Sequence, residues 1–201
     1  MLEPQKYYHI YNRANGFENL FVKEDNYSFF LDKMHHYLAS MVEVCCYCLM
    51  PNHFHLLVKV KSKEEMVETI ERKKGNQYLQ GFKNLEGIDK YIVQQFSNLF
   101  NAYSKAFNKQ QNRTGSLFQK GFKRKEITGQ DYLKELVLYI HCNAVHHGFT
   151  ENFEKWKFSS YHQIIKEKNS EVISWFDDID NFKDCHQVKN EFNKIKNLLI
   201  E

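Results

Sequence analysis

The stretch Val42–Val60, VEVCCYCLMPNHFHLLVKV, decides the fold. Its first part, Val42–Met50, is β-prone throughout, and Pro51-Asn52 is a turn signal. The part that follows, His53–Val60, has the composition of a second strand, so the stretch predicts a β-hairpin. Successive side chains of a strand point to opposite faces of the sheet. One side of the second strand therefore carries a good core face: Phe54, Leu56, Val58 and Val60.

The other side of this strand carries two histidines, His53 and His55, together with Leu57 and Lys59. An i, i+2 pair on a strand places two imidazoles side by side, close enough to share one cation. The alternative is two polar side chains on the solvated face of a sheet. Both interpretations stay open from this spacing alone.

Three of the five cysteines, Cys45, Cys46 and Cys48, lie in the first strand of the hairpin. They lack the C-x₂₋₄-C spacing of structural zinc sites. Cys46 and Cys48 are expected to share a side with Val42 and Val44, which predicts that they are buried in a core. Burial in a reducing compartment explains them better than a disulfide framework.

The rest of the chain supplies the partners of this hairpin. Residues 6–12 and 116–127 are predicted strands, and residues 23–39, 89–110 and 128–147 are predicted helices, with Gly148 as the last stop signal. Residues 61–88 are charged, with room for one short helix, and a last helix is predicted around 183–199. The order β-α-β-β-α-β predicts an α+β fold, a ferredoxin-like antiparallel sheet with helices on one face. A further helix and a C-terminal helical tail follow it.

Composition and charge bound the class of protein. The 201 residues are 42% hydrophobic and 15% aromatic, which predicts a folded chain, and the net charge is only +3. No apolar run approaches the roughly 20 residues of a membrane span, and the start of the chain lacks a signal-peptide core. We therefore expect a cytoplasmic protein with no membrane partner.

Positive charge is concentrated in one segment. Residues 101–125 contain no acidic residue and seven basic ones: Lys105, Lys109, Arg113, Lys120, Lys123, Arg124 and Lys125. Interleaved with them are four aromatic residues, which would stack on unpaired bases or belong to the core: Tyr103, Phe107, Phe118 and Phe122. In a chain of such low net charge, this segment predicts a polyanionic partner.

The predicted helix over 128–147 has two stripes. One would pack on the sheet: Leu133, Val137, Ile140 and Ala144. On the neighbouring stripe, Tyr139 and Asn143 are four residues apart and so lie one above the other. A phenol and a carboxamide in this arrangement suit a metal-phosphate site, as nucleophile and oxygen ligand. The alternative is a tyrosine at the rim of the core.

These features occur in an order that resembles the HUH-type single-tyrosine transposases, in particular the REP-associated tyrosine transposase branch. The resemblance covers roughly residues 5–165. Five segments carry it: YYHIYNRANG (7–16), CLMPNHFHLLVKV (48–60), the basic segment with its preceding helix (95–125), YIHCNAVHHGF (139–149) and WKFSSY (156–161). We therefore expect a transposase domain over 1–165 and a C-terminal helical extension over 166–201.

The resemblance implies a mechanism and a set of site residues. It implies Tyr139 as the catalytic nucleophile, with His53, His55 and Asn143 holding Mg²⁺ or Mn²⁺. The implied partner is single-stranded or hairpin DNA, cleaved and rejoined through a 5′-phosphotyrosine. The basic residues of 101–125, with Arg13 at lower weight, would bind this DNA. Relatives include monomers and dimers, so a homodimer stays open.

Two features of the sequence depart from the family pattern, and alternatives to the nucleophile and to the function stay open. The family's usual Asn-Pro is Asn143-Ala144 here, and residues 61–88 are longer than the minimal pattern. A competing nucleophile is Tyr103, which lacks a matching ligand one turn away. One alternative function is a non-catalytic nucleic-acid-binding module, and another is a hydrolytic nuclease that uses water with the same histidine pair. A third is a domesticated member of the family that nicks and joins DNA without mobilising itself.

Overall fold

The computed structural model describes residues 1–74, 82, 84–167 and 170–198. In chain order its elements are β1 (Tyr7–Arg13), α1 (Glu24–Leu38), β2 (Val42–Met50), β3 (His53–Val60), α2 (Lys63–Lys74), α3 (Leu85–Gln110), β4 (Lys123–Ile127), α4 (Gln130–His146), a 3₁₀ turn (Phe153–Lys155), α5 (Tyr161–Glu167), α6 (Glu171–Trp175) and α7 (Ile179–Leu198). Within these residues, no helix is both long enough and apolar enough to cross a membrane.

The four strands form one antiparallel sheet in the order β2-β3-β1-β4. The predicted hairpin is present with both strands as expected, and the β-α-β-β-α-β order and the α+β class are confirmed. Because β3 and β1 are the central pair, the histidine strand lies beside the first strand. In this register Tyr11 pairs with His55, and Arg13 pairs with His53.

Helices cover both faces of the sheet. Helices α1 and α3 pack on one face, where Phe54, Leu56 and Val58 are fully buried as predicted. On the other face, α4 and the C-terminal helices form a second core around Leu57. The histidine face is therefore covered over part of its length by α4 and is not an open, solvated surface.

A β-bulge changes the orientation of the cysteines. The register of β2 against β3 shifts between Val44 and Cys46, so that Cys46 lies opposite Leu57. One extra residue in a strand inverts the alternation of the side chains beyond it. The prediction that Cys46 and Cys48 share a side with the upstream valines is therefore wrong, because both belong to the α4-facing core. Their predicted burial is confirmed, since both are fully buried free thiols.

The strand predicted over 116–127 is shorter than expected. Strand β4 begins only at Lys123, and a loop precedes it. Gly121 in this loop has φ +75°, a left-handed conformation that interrupts a strand. The side chain of Asn15 holds the loop by donating to the carbonyls of Ser116 and Phe118, at 3.0 Å each.

Helix boundaries also differ slightly from the predictions. Helix α4 follows Gly129 and ends as predicted before Gly148, whose φ is +70°. Helix α7 begins at Ile179, earlier than expected. The Asp178 carboxylate caps it by accepting hydrogen bonds from the backbone amides of Asp180 and Asn181 in its first turn. The charged stretch contains α2, as expected. Residues 75–81, 83 and 199 of the predicted segments lie outside the described residues.

Candidate active site

A cavity of about 390 Å³ opens where β1, β3 and the start of β4 meet the end of α4. Its described lining residues are Tyr11, Asn12, Arg13, Asn52, His53, His55, Gln119, Lys123, Tyr139 and His147. This lining contains two permanent positive charges and no carboxylate. Such a cavity suits an anionic ligand.

The histidine pair of β3 forms the floor of this cavity. The ring centroids of His53 and His55 are 5.3 Å apart, and the ring planes are nearly perpendicular, at 85°. His55 is 7% exposed, and His53 is half-buried. The i, i+2 spacing has therefore brought two imidazoles together on the covered face of the sheet.

Helix α4 places Tyr139 against one member of this pair, His55. The Tyr139 ring meets the His55 ring edge-on, with 5.5 Å between centroids and an angle of 82°. Tyr139 is 38% exposed, so its phenol is accessible to a ligand. The competing tyrosine, Tyr103, is 1% exposed in the opposite core, and its hydroxyl donates to the carbonyl of Leu20.

One turn beyond Tyr139, the side chain of Asn143 is fully buried. Neither its amide oxygen nor its amide nitrogen makes a hydrogen bond of acceptable geometry among the described residues, although the side chain lies close enough to His53 to affect the pKa of that imidazole. Buried amides are almost always hydrogen-bonded, so an orphaned amide calls for an explanation. An absent ligand of the amide oxygen is one such explanation.

The imidazoles of the site are held neutral. Burial lowers the pKa of His53 to about 4, the charges of His147 and Arg13 lower it further, and the neighbouring Asn143 side chain raises it. Burial also lowers the pKa of His55 to about 2. Neutral imidazoles keep a lone pair available for a cation.

The residues present fit a divalent ion only as a set of uncharged donors. No three His, Cys, Asp or Glu side chains in the described ranges are grouped to hold a metal. The donors would be the two imidazoles of His53 and His55 and the orphaned amide oxygen of Asn143. Mixed nitrogen and oxygen ligation of this kind suits Mn²⁺, and it also accepts Mg²⁺.

The predicted DNA-binding residues do not lie on one surface. Arg13 and Lys123 line the cavity, and Lys120 lines an adjoining groove that shares Asn12 and Gln119 with it. Lys125 lies on the same face of β4 as Lys123, with its amine donating to Tyr132 at 2.6 Å.

The other basic residues point elsewhere. Arg124 faces α3, where it pairs with Asp89 at 2.8 Å. Arg113 pairs with Glu18 at 2.6 Å. Lys105 and Lys109 are exposed on α3, away from the cavity.

The aromatic residues of the basic segment belong to the core. Tyr103, Phe107 and Phe118 are at most 5% exposed, and Phe122 packs partly buried against them. Base stacking is therefore wrong for Tyr103, Phe107 and Phe118, which belong to the core, whereas Phe122 is partly exposed in the groove beside Lys120. Besides Tyr139, the cavity has an exposed aromatic ring in Tyr11, which stacks on His55 at 5.5 Å between centroids.

Sequence reasoning missed three residues of the site. Nε2 of His9 lies 2.8 Å from Nδ1 of His55, and the amide oxygen of Asn52 accepts from Nδ1 of His53 at 2.6 Å. His147 packs its ring against His53 at 4.6 Å between centroids. The alternation of YYHIYN places His9 and Tyr11 on one face, but only the β1–β3 register shows that this face meets His55.

A larger cavity, of about 730 Å³, lies between α1, β2 and the C-terminal helices. Four carboxylates line it: Glu43, Glu65, Glu167 and Glu171. Their negative charge disfavours an anionic ligand, so the smaller cavity is the better candidate for binding a polyanion.

Comparison with known proteins finds one curated relative and one similar solved structure. A Haemophilus influenzae protein described as a REP-associated tyrosine transposase is 25% identical over 126 residues, which are 62% of this chain. The chain spans about three-fifths of that relative's length, 61%. No protein-family model matches the chain.

A solved structure of a REP-associated tyrosine transposase bound to a REP hairpin has the same fold. It superposes with a TM-score of 0.58 over 86% of each chain, at 13% identity. This chain thus has a fold that also occurs in a tyrosine transposase. More particularly, the resemblance to REP-associated tyrosine transposases, inferred from motifs, is confirmed by sequence similarity and by structural similarity.

Proposed function

We propose that this protein is a transposase-like DNA strand transferase, which cleaves and rejoins single-stranded, hairpin-associated DNA through Tyr139. One observation carries the proposal: the accessible phenol of Tyr139 contacts His55 and shares with both imidazoles a cavity that has positive charge and no carboxylate among its described lining residues. The sequence relative and the hairpin-bound structural neighbour support DNA as the substrate class.

The cavity would bind the scissile strand by its backbone. Arg13 and Lys123 lie at the cavity wall, where their charges would hold phosphates on either side of the reacting group. The stacked rings of Tyr11 and His55 offer an apolar surface next to them. Contacts of this type position the strand without selecting its sequence.

Tyr139 would perform the covalent step. Its phenolic oxygen attacks the phosphorus, and the bond from phosphorus to the 3′ oxygen breaks, which leaves a 5′-phosphotyrosine and a free 3′-hydroxyl. The phenol gives up one proton, and the departing 3′ oxygen takes one up. Because a phenol with a pKa of about 10 is a better leaving group than an alkoxide, a DNA 3′-hydroxyl can reverse the step and join strands.

His53, His55 and Asn143 would hold a divalent ion, Mg²⁺ or Mn²⁺, beside the phosphate. Bound there, the ion would supply charge stabilisation to the phosphoryl oxygens during displacement. The ligands from this chain are all uncharged, so they would leave most of the positive charge of the ion unneutralised and able to attract the phosphate. His141, which is also on α4, is not available as a general base, because it is fully buried and its two nitrogens are hydrogen-bonded to His186 and Ser160.

The test is covalent capture on a denaturing gel. The protein and Mn²⁺ are mixed with labelled single-stranded DNA that covers the hairpins flanking its own gene. Tyr139→Phe and His53→Ala are compared with the wild type, and Tyr132→Phe is the matched control, because Tyr132 is an equally exposed tyrosine on the same helix.

A shifted protein–DNA band in the wild type and in Tyr132→Phe, lost in the other two variants, supports the proposal. Cleavage without an adduct that survives Tyr139→Phe indicates a hydrolytic nuclease and contradicts it. Hairpin binding without cleavage, at every Mn²⁺ concentration, indicates a non-catalytic binding module.

A further inference from the structure

We propose that His9 is a positioning residue that holds His55 in the tautomer whose Nε2 lone pair is free for a cation. The inference rests on the proposed function, because it concerns the metal site that we assign to His53, His55 and Asn143. It adds a residue to that site which is not itself a ligand.

The contact is direct and specific. Nε2 of His9 lies 2.8 Å from Nδ1 of His55, and the two rings are nearly parallel, with centroids 5.0 Å apart. Within the described residues, His55 makes no other side-chain hydrogen bond. His9 is not among the residues that line the cavity, so it lies behind His55 as seen from a ligand.

The geometry leaves two arrangements of one proton. Either His55 donates from Nδ1 to His9, or His9 donates from Nε2 to His55. In the first arrangement, Nε2 of His55 has no proton and can bind a cation. In the second arrangement, a neutral His55 carries its proton on Nε2, and its lone pair is no longer available. Metal binding therefore requires His9 to be the acceptor.

The second histidine of the pair has an equivalent partner. Nδ1 of His53 lies 2.6 Å from Oδ1 of Asn52, and a carboxamide oxygen can only accept. His53 must therefore donate from Nδ1, which leaves its Nε2 unprotonated as well. Two separate contacts, from β1 and from the hairpin turn, would thus keep both Nε2 atoms free.

This arrangement matches what ligand histidines need. A ligating imidazole usually donates its other N–H to an acceptor behind it, and removal of that acceptor costs about 10- to 100-fold in metal affinity. A histidine that merely fills space behind His55 would not affect the tautomer of His55.

The test uses the DNA-free protein, so that it is independent of strand cleavage. His9→Phe removes the acceptor and keeps an aromatic ring, whereas His9→Gln keeps an acceptor oxygen. The tautomer of His55 is determined by nitrogen-15 NMR in the metal-free protein, and Mn²⁺ affinity is determined by electron paramagnetic resonance. Far-ultraviolet circular dichroism confirms that each variant is folded.

We expect the Nδ1–H form of His55 in the wild type and in His9→Gln, and loss of that form in His9→Phe. Mn²⁺ should bind about 10- to 100-fold more weakly to His9→Phe than to the wild type, with most of the affinity retained in His9→Gln. The same His55 tautomer in the wild type and His9→Phe would overturn the inference. A wild type with the Nδ1–H form but no Mn²⁺ binding would contradict the proposed metal site, and not the positioning contact.

Discussion

Tyr139 lies edge-on to His55, with 5.5 Å between their ring centroids. The two residues come from different layers of the fold, the first from helix α4 and the second from the central strand β3. Their contact depends on the packing of α4 across the sheet through Val137 and Ile140, which are both fully buried. The core between α4 and the sheet therefore holds the proposed nucleophile, Tyr139, next to the proposed metal ligand, His55.

Loss of the Tyr103 hydroxyl should affect stability and spare catalysis. In Tyr103→Phe, the buried carbonyl of Leu20 loses its donor, so the free energy of unfolding should fall by about 1–3 kcal/mol. Urea unfolding measures this change. Adduct formation by the folded variant should match the wild type, and its loss would revive Tyr103 as a nucleophile.

The two neighbouring basic residues of β4 should behave differently toward DNA. Lys123 lines the cavity, so Lys123→Ala should reduce the slope of log affinity against log salt by about 0.7 for a single strand. Arg124 faces α3 and pairs with Asp89, so Arg124→Ala should leave the slope unchanged. Fluorescence anisotropy over a range of salt concentrations measures both slopes. Equal slopes for the two variants would refute the assignment of Lys123 to a phosphate.

Removal of divalent ions should separate binding from cleavage. With a chelator present, we expect no covalent adduct, because the phosphoryl charge is then not stabilised. Hairpin binding should persist, because Arg13 and Lys123 act on phosphates without an ion. Gel shift and covalent capture on the same samples test this prediction. An adduct of undiminished yield in the chelator would show that the ion has no catalytic part.

Acid should weaken the attachment of the C-terminal helix to α4. His186 of α7 donates to the Phe182 carbonyl and accepts from His141, which in turn accepts from Ser160. Burial lowers the pKa of His186 from its ordinary value of 6.5 to about 4 and lowers that of His141 well below 6.5. Since the unfolded chain takes up these protons first, the stability is complete above pH 6.5 and falls as the pH decreases toward 4.

His186→Leu checks this account of the buried pair. It leaves the buried His141 N–H without an acceptor, so the free energy of unfolding at neutral pH should fall by about 1–3 kcal/mol. Its further loss of stability between neutral and acidic pH should be smaller than that of the wild type. Urea unfolding at the two pH values gives the comparison, and an equal acid loss in both proteins would contradict it.

Much of the fold could be predicted from local pattern. The stretch Val42–Val60 contains its own turn signal between two β-prone runs, so the hairpin and the bounds of its two strands followed directly. The bulge at Cys45 could not be predicted, because an extra residue leaves the β-prone composition unchanged. The loop before Lys123 was predicted as a strand because aromatic residues are typical of strands. In the structure these residues are in a loop and are buried by α3.

The site could be predicted only where one element carries it. His53 and His55 share a strand, and Tyr139 and Asn143 share a helix face, so spacing alone grouped each pair. His9 lies 46 residues from His55 in the chain, and only the β1–β3 pairing brings them together. The separation of Arg124 from Lys123 likewise follows from the sheet, since adjacent residues of a strand face opposite sides.

The most direct test of the central claim is to identify the residue that carries the DNA. The captured adduct is digested with nuclease and protease, and mass spectrometry locates the remaining nucleotide. We predict a 5′-phosphonucleotide on the phenol oxygen of Tyr139. A nucleotide on any other residue, or cleaved DNA with Tyr139 never modified, would contradict the account.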